Sequence, residues 1–348
     1  MQTLGGVGLP EVMAGATIVA LNAYLLTGGA DYGGGVWDLL ASGPRREEQR
    51  RLITHAIGPI WAANQVWLIV ASVLLFTGFP PAFAAIGTFL HIPLTLLLVG
   101  IVLRGSAFVF RTYGSRESDE RHRWGRLFAI ASVITPIFLG ISLGALASGA
   151  IGARVGAGDV RPVLGSYVDT YVRTWFAPFP LATGAMALAV FAFLAATYLT
   201  LEAREPALRE DFRRRALAAA AAVFGTAGIA LLIAYLGALR VGSGLTTARW
   251  AVPFQVVTGI VALVAWWALW TRRWSFARIA AATQASLILW GWAMAQYPFV
   301  VPQAITIRQA AAPAITMEIL LWTLVVGGAV LAPSLVFLFR TFTRTRAR

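Results

Sequence analysis

Few side chains in this 348-residue sequence could move a proton, bind a metal or attack a bond. There is no Cys, which removes thiolate nucleophiles, disulfides and iron–sulfur ligands. Of the three histidines, His55 and His122 fall at the ends of apolar runs, where water reaches them, and His91 falls inside a run beside Pro93. A bis-histidine haem needs a second intramembrane ligand, and the sequence offers none; Met186, Met294 and Met317 read as packing residues. His91 is accordingly a candidate for helix packing. Asp31 ends the first apolar run, in Gly29-Ala30-Asp31-Tyr32-Gly33-Gly34-Gly35. A carboxylate there could exchange protons with water, or it could cap the next segment, and the sequence leaves both open. The neighbouring glycines lack the strand before and the Gly-Lys-Ser/Thr after that a phosphate loop needs, so close packing or a sharp turn explains them. Asn64 and Gln65 fall in mid-run, in Trp61-Ala62-Ala63-Asn64-Gln65-Val66-Trp67. Trp61 and Gln65 share a helix face. The amides could orient water in a proton relay or clamp one helix to another, the clamp being favoured. No paired carboxylates, Ser-His-Asp set or metal cluster stands out, so the chain offers no catalytic site of its own.

These residues must be positioned by membrane helices. The chain is 58% hydrophobic and 12% charged, against roughly 25% charged in an average soluble domain. Apolar runs of about 18 residues or more recur throughout, each long enough to span a bilayer. A closed barrel would instead show short alternating strands. The runs cover residues 10–30, 54–77, 82–103, 127–148, 181–201, 216–238, 251–270, 277–297 and 315–339. They predict an all-α, polytopic membrane protein of about nine transmembrane helices. Residues 1–148 would form one four-helix bundle and 149–297 a second, with an outer loop at 149–180 and a peripheral helix at 315–339. Aromatics of that loop (Tyr167, Tyr171, Trp175, Phe176) suit either an interfacial helix or an ordinary loop. The net charge of +13 is all arginine, placed between the runs, which argues against nucleic acid as a partner. Twenty-two of the 28 arginines lie in alternate connections on one side. The positive-inside rule then puts the N-terminus outside and the C-terminus in the cytoplasm, as an odd helix count requires. Arg104 and Arg111 follow the third run and could snorkel to headgroups or to a partner carboxylate. The first ten residues lack the basic n-region of a cleaved signal peptide.

Several stretches together resemble the cytochrome bd oxidase subunit II family. They are Gly29 to Leu40, Ile57-Gly58-Pro59-Ile60-Trp61 into Asn64-Gln65-Val66-Trp67-Leu68-Ile69, Phe79-Pro80-Pro81-Ala82-Phe83, Leu103 to Arg111, Ala195 to Glu202, and Tyr297-Pro298-Phe299 up to Ala310-Ala311-Ala312-Pro313. The resemblance spans nearly the whole chain. It implies a subunit of a quinol:oxygen oxidoreductase in a bacterial inner membrane, not catalytic alone and with no cofactor or metal of its own. A haem-bearing subunit I would hold haem b and haem d (or b) and the quinol site, and would reduce oxygen to water with cytoplasmic protons. This chain would pack beside it through residues such as Trp61, Trp67, His91, Arg104, Arg111 and Glu202, and would offer Asp31, Asn64 and Gln65 to a candidate proton path. The resemblance also leaves room for a structural quinone or lipid and for small single-helix subunits. The sequence departs from relatives where they often carry an acid (here Ala62), a His (here Gln65) and an Asp (here Gly28). Rival readings are a transporter or channel, which would want broken-helix or titratable sites in both halves, and a redox-inactive assembly scaffold.

Overall fold

The computed structural model describes residues 8–58, 61–114, 118–156, 159–160, 166–237, 239–246 and 248–344. Pro59 and Ile60 of the second motif lie outside the described residues, as do Met1–Val7, Arg116, Arg161, Arg346 and Arg348. In chain order the helices are α1 Leu9–Leu39, α2 Arg46–Ile57, α3 Trp61–Asn64, α4 Val66–Gly78, α5 Pro80–Phe89, α6 His91–Tyr113, α7 Ser118–Ala147, α8 Tyr167–Tyr171, α9 Pro178–Glu202, α10 Pro206–Leu236, α11 Arg240–Thr246, α12 Ala251–Trp270, α13 Trp274–Gln296, α14 Ile307–Ala310 and α15 Ala314–Arg344. Two small antiparallel hairpins accompany them: β1 Val155–Gly156 with β2 Asp159–Val160, and β3 Phe299–Val301 with β4 Ile305–Thr306.

Eight helical stretches among the described residues are long and apolar enough to cross a membrane, with Trp61–Gly78 counted as one. The eighth of the nine runs became α13, equally long, but Arg278, Gln284 and Gln296 dilute its apolar character. Helices satisfy their own backbone bonds, which lipid demands of any spanning segment.

Three boundaries differ from expectation, each with consequences for the site. α1 does not stop at residue 30 but runs on to Leu39. Its glycines are therefore helical packing positions, not a turn. A Cβ on Gly33 would lie 1.9 Å from the Phe191 carbonyl oxygen, so α1 and α9 pack backbone to backbone there. Gly140 on α7 meets α9 in the same way, 2.5 Å from the Thr183 oxygen. Small residues four apart (Gly29 and Gly33, Gly140 and Gly144) allow such approach, and dispersion and hydrogen bonds then hold the helices. Next, α2 is a separate helix before the second span. Finally, the third run divides at Leu90, so that α5 lies apart and α6 begins at His91.

The main core joins α1, α2, α6, α7, α9, α10, α12 and α13, with Tyr32, Phe128, Phe193 and Phe212 fully enclosed. A second core under β3, β4 and α14 is built on Met13, Phe79, Phe89 and Met317. By contrast α15 shows exposed Ile315, Ile319, Trp322 and Val330 along its length.

Candidate functional site

α1 carries two buried carboxylates seven residues apart, Asp31 and Asp38. Seven residues make two helical turns, about 10.5 Å of rise, so both point the same way. α6 answers with Arg104 and Arg111, also seven apart. The first rung is a bidentate pair: Arg111 Nη1 donates to Asp38 Oδ2 at 2.9 Å and Nη2 to Oδ1 at 3.1 Å. Arg50 of α2 approaches the same carboxylate at 4.0 Å. Asp31 stands one level further along α1, without a direct ion pair to Arg104 among the described residues. Its Oδ2 accepts from Asn64 Nδ2 at 2.6 Å, which ties α1 to α3, and the charge of Arg104 acts on it.

Arg104 is 2% exposed. Its guanidinium lies 4.4 Å from the Tyr32 ring centre and 5.2 Å from that of Phe128, and Nε donates to Ser132 Oγ at 3.2 Å. Aromatic faces attract a desolvated cation by about 2 kcal/mol. Around this centre lie orphaned polar atoms. Tyr24, Tyr32 and Gln65 are close enough to interact, yet Tyr24 Oη, Tyr32 Oη, Gln65 Nε2 and Arg104 Nη2 are buried and reach no hydrogen-bond partner of good geometry among the described residues.

The sequence-derived candidates thus divide. Asp31, Asn64 and Arg104 come together, with Gln65 beside them through Tyr32. Trp61 packs on Phe108 with ring centres 5.7 Å apart, and Trp67 packs against the main core. Glu202 ends α9 and is half-buried. Three expectations need correction. Asp31 is no helix-end carboxylate in water: two further turns of α1 enclose it, and it is 4% exposed. Arg104 and Arg111 do not snorkel to headgroups: Asp38 holds Arg111 inside the bundle, and Ser132 with the rings of Tyr32 and Phe128 encloses Arg104. His91 is not in mid-helix but opens α6. Its Nδ1 lies 2.9 Å from Thr88 O and its Nε2 3.3 Å from Tyr167 Oη, under the rings of Tyr167 and Tyr171.

Both nitrogens of His91 are engaged, and no group of three or more His, Cys, Asp or Glu could hold a metal among the described residues.

Sequence reasoning missed Asp38, Tyr24, Tyr32, Phe128 and Ser132. A signal existed for Asp38, since the seven-residue spacing of Asp31 and Asp38 is repeated by Arg104 and Arg111. A separate clasp holds α2 to α10: Arg45 pairs with Asp211 at 2.6 Å, Gln49 Nε2 donates to Asp211 at 3.0 Å, and Arg215 donates to Gln49 at 2.7 Å. An apolar cleft of about 690 Å³ is lined by Leu21, Leu75, Leu94, Leu139 and Trp292, with Glu11, paired to Arg308 at 2.6 Å, among its walls.

Comparison with known proteins places the whole chain. The "Cytochrome bd-I ubiquinol oxidase subunit 2" of Escherichia coli K12 is 24% identical across 88% of this chain and 87% of that protein. The "Cytochrome bd ubiquinol oxidase subunit 2" of Bacillus subtilis is 33% identical over 96 residues, 27% of this chain and 28% of that protein. The solved bd oxidase of Geobacillus thermodenitrificans shares the fold, with a TM-score of 0.78 at 20% identity over 96% of this chain and 98% of that one. The family of cytochrome bd terminal oxidase subunit II matches residues 9–342, and this multi-pass membrane chain belongs to it.

Proposed function

We propose that this chain is the haem-free second subunit of a quinol-oxidising terminal oxidase. It would act only beside a haem-bearing subunit I, which oxidises quinol, reduces oxygen to water and holds the b- and d-type (or b-type) haems. The observation that carries the reading is the family match along nearly the full chain, supported by the engaged nitrogens of His91. Co-purification with a haem-bearing chain, read by visible absorption and quinol-driven oxygen uptake, tests it. A purified chain without such a partner, or a complex that consumes no oxygen, would refute it. The apolar cleft beside Glu11 suits a structural quinone or lipid tail. The arginine distribution supports an external N-terminus and a cytoplasmic C-terminus.

Within that role Asp31 reads as a clamp. Asn64 satisfies one of its oxygens, Arg104 balances its charge, and Ala62 carries no proton onward. The protons for oxygen reduction then travel through the partner. One observation favours a second reading, in which they cross this subunit. Buried polar atoms need partners, and water supplies them where protein does not. The orphaned atoms of Tyr24, Tyr32, Gln65 and Arg104 could bind water running on from Asp31. Oxygen uptake per mole of haem in Asp31→Asn separates the two: most activity persists for a clamp and nearly all is lost for a relay.

A further inference from the structure

One face of α12 is apolar and open along its whole length. Val252, Val256, Ile260, Leu263 and Trp267 recur every three or four residues and are 61%, 54%, 54%, 72% and 45% exposed. The strip ends at a corner where α12 turns into α13 beside the first turns of α10. Five arginines meet there: Arg209, Arg213 and Arg214 from α10, and Arg272 and Arg273 from the turn. The carboxylate of Glu210 pairs with three of them, Arg213 at 2.7 Å, Arg214 at 3.5 Å and Arg272 at 3.7 Å. Arg209 turns aside to the Ala203 carbonyl at 2.7 Å, and the neighbouring Asp211 is taken by Arg45.

Arg272 and Arg273 sit in the turn, which closes through an Arg273 N–H to Ala268 O bond of 2.8 Å and holds Arg272 at φ 59°. The guanidinium of Arg273 lies 4.8 Å from the Trp267 ring centre and makes no ion pair among the described residues. Side chains of Arg214 and Arg272 are 76% and 66% exposed. A stacked guanidinium keeps its N–H edge free, and that fork matches two oxygens of a phosphate. These five arginines outnumber the carboxylate that pairs with three of them, and a further anion would lower their mutual repulsion. Trp267 and Trp270, the latter 67% exposed, are the residues that sit at headgroup level.

We propose that this corner binds an anionic phospholipid, its phosphodiester held by Arg214, Arg272 and Arg273 and its acyl chains laid along the open face of α12. A zwitterionic lipid fits less well, because its amine returns a positive charge to a corner already in excess. The proposal rests on the membrane placement of the chain and not on which partner performs the chemistry.

The test uses the assembled complex in phosphatidylcholine nanodiscs doped with spin-labelled phosphatidylglycerol, compared with spin-labelled phosphatidylcholine. The wild type should prefer the anionic probe, and added salt should weaken that preference. Each arginine near a headgroup changes the association about five-fold, so Arg272→Gln with Arg273→Gln should lower the preference roughly 25-fold. Arg173→Gln, at a side chain 74% exposed on the far loop, should leave it unchanged. A double variant with wild-type preference overturns the proposal. So does a double variant that sheds its partner subunit while keeping the preference, since the corner would then bind protein. If the double variant does not accumulate, Trp267→Leu keeps every charge and removes only the stacking. A several-fold lower preference is expected from it, and an unchanged one also overturns the proposal.

Discussion

Removing Arg104 should damage the subunit through the charge it leaves behind. In Arg104→Met a buried carboxylate, Asp31, keeps its Asn64 bond and loses its counter-charge. The two charges make no contact within 4.0 Å among the described residues, so the loss should fall below the roughly 3–5 kcal/mol of a buried ion pair broken from one side. The lost contacts with Tyr32, Phe128 and Ser132 add to that. Asp31→Asn should cost less, since the two rings and Ser132 still hold the arginine. The double variant Asp31→Asn/Arg104→Met removes both charges together, so its loss should fall short of the summed single losses by about 2 kcal/mol, within the range for directly coupled residues. The measurement is a double-mutant cycle on the assembled complex, unfolded in mixed micelles of rising dodecyl sulfate fraction. Haem content and oxygen uptake per haem are recorded on the same samples. Arg104→Met complexes that do assemble should turn over at near the wild-type rate. Single losses that add within about 0.5 kcal/mol would show that Asp31 and Arg104 do not act as a pair. Full assembly with lost turnover would make Arg104 part of the reaction path.

Three further outcomes follow from separate observations. A reporter active only in the periplasm should be silent when fused after Arg348 and active when fused before Met1; the reverse would overturn the arginine-based topology. The chain purified without its partner should show no b-type band in a reduced-minus-oxidised spectrum, whereas a stoichiometric band would mean that His91 or another ligand had been misread. Gly33→Ala should cost most of the assembled complex, because its Cβ would sit 1.9 Å from the Phe191 carbonyl oxygen and force α1 from α9. Gly15→Ala, where nothing lies within 4 Å, should accumulate normally.

Spans were legible because lipid imposes a length and an apolar content that the sequence must display. The run at 251–270 became α12 residue for residue, and the run at 315–339 lies within α15, which continues to Arg344. Boundaries failed where polar or glycine residues continue a helix. Composition made Gly33 to Gly35 look like a break, but a glycine helix face costs little when a neighbour's backbone fills the gap, as Phe191 does. The same error set Asp31 at a surface. Arg104 was misplaced for a related reason: an arginine at the edge of an apolar run looks solvated unless its partner acid on another helix is known, and sequence distance hides that acid. His91 lay inside a single run because Pro80 to Phe89 is as apolar as the span that follows, so hydropathy could not show the break at Leu90.

The arrangement around α1 and α6 explains how this chain tolerates ionised groups inside its bundle. Charges inside a membrane protein persist when each faces an opposite charge or a dipole. Asp31 and Asp38 need two cations at matching height, and Arg104 and Arg111 supply them with the same two-turn repeat. A lone acid at position 62 would face no cation of this set, since Arg104 is already shared among Asp31, Tyr32, Phe128 and Ser132. Ala62 is exposed on this chain, so Ala62→Glu would turn an acid without a counter-charge toward lipid or the partner subunit, where it tends to stay protonated and to disfavour assembly. It should lower the yield of the complex and leave oxygen uptake per haem unaccelerated. A rise in uptake at unchanged yield would instead mean that the path through this subunit lacked only that one acid, and the clamp reading of Asp31 would fall.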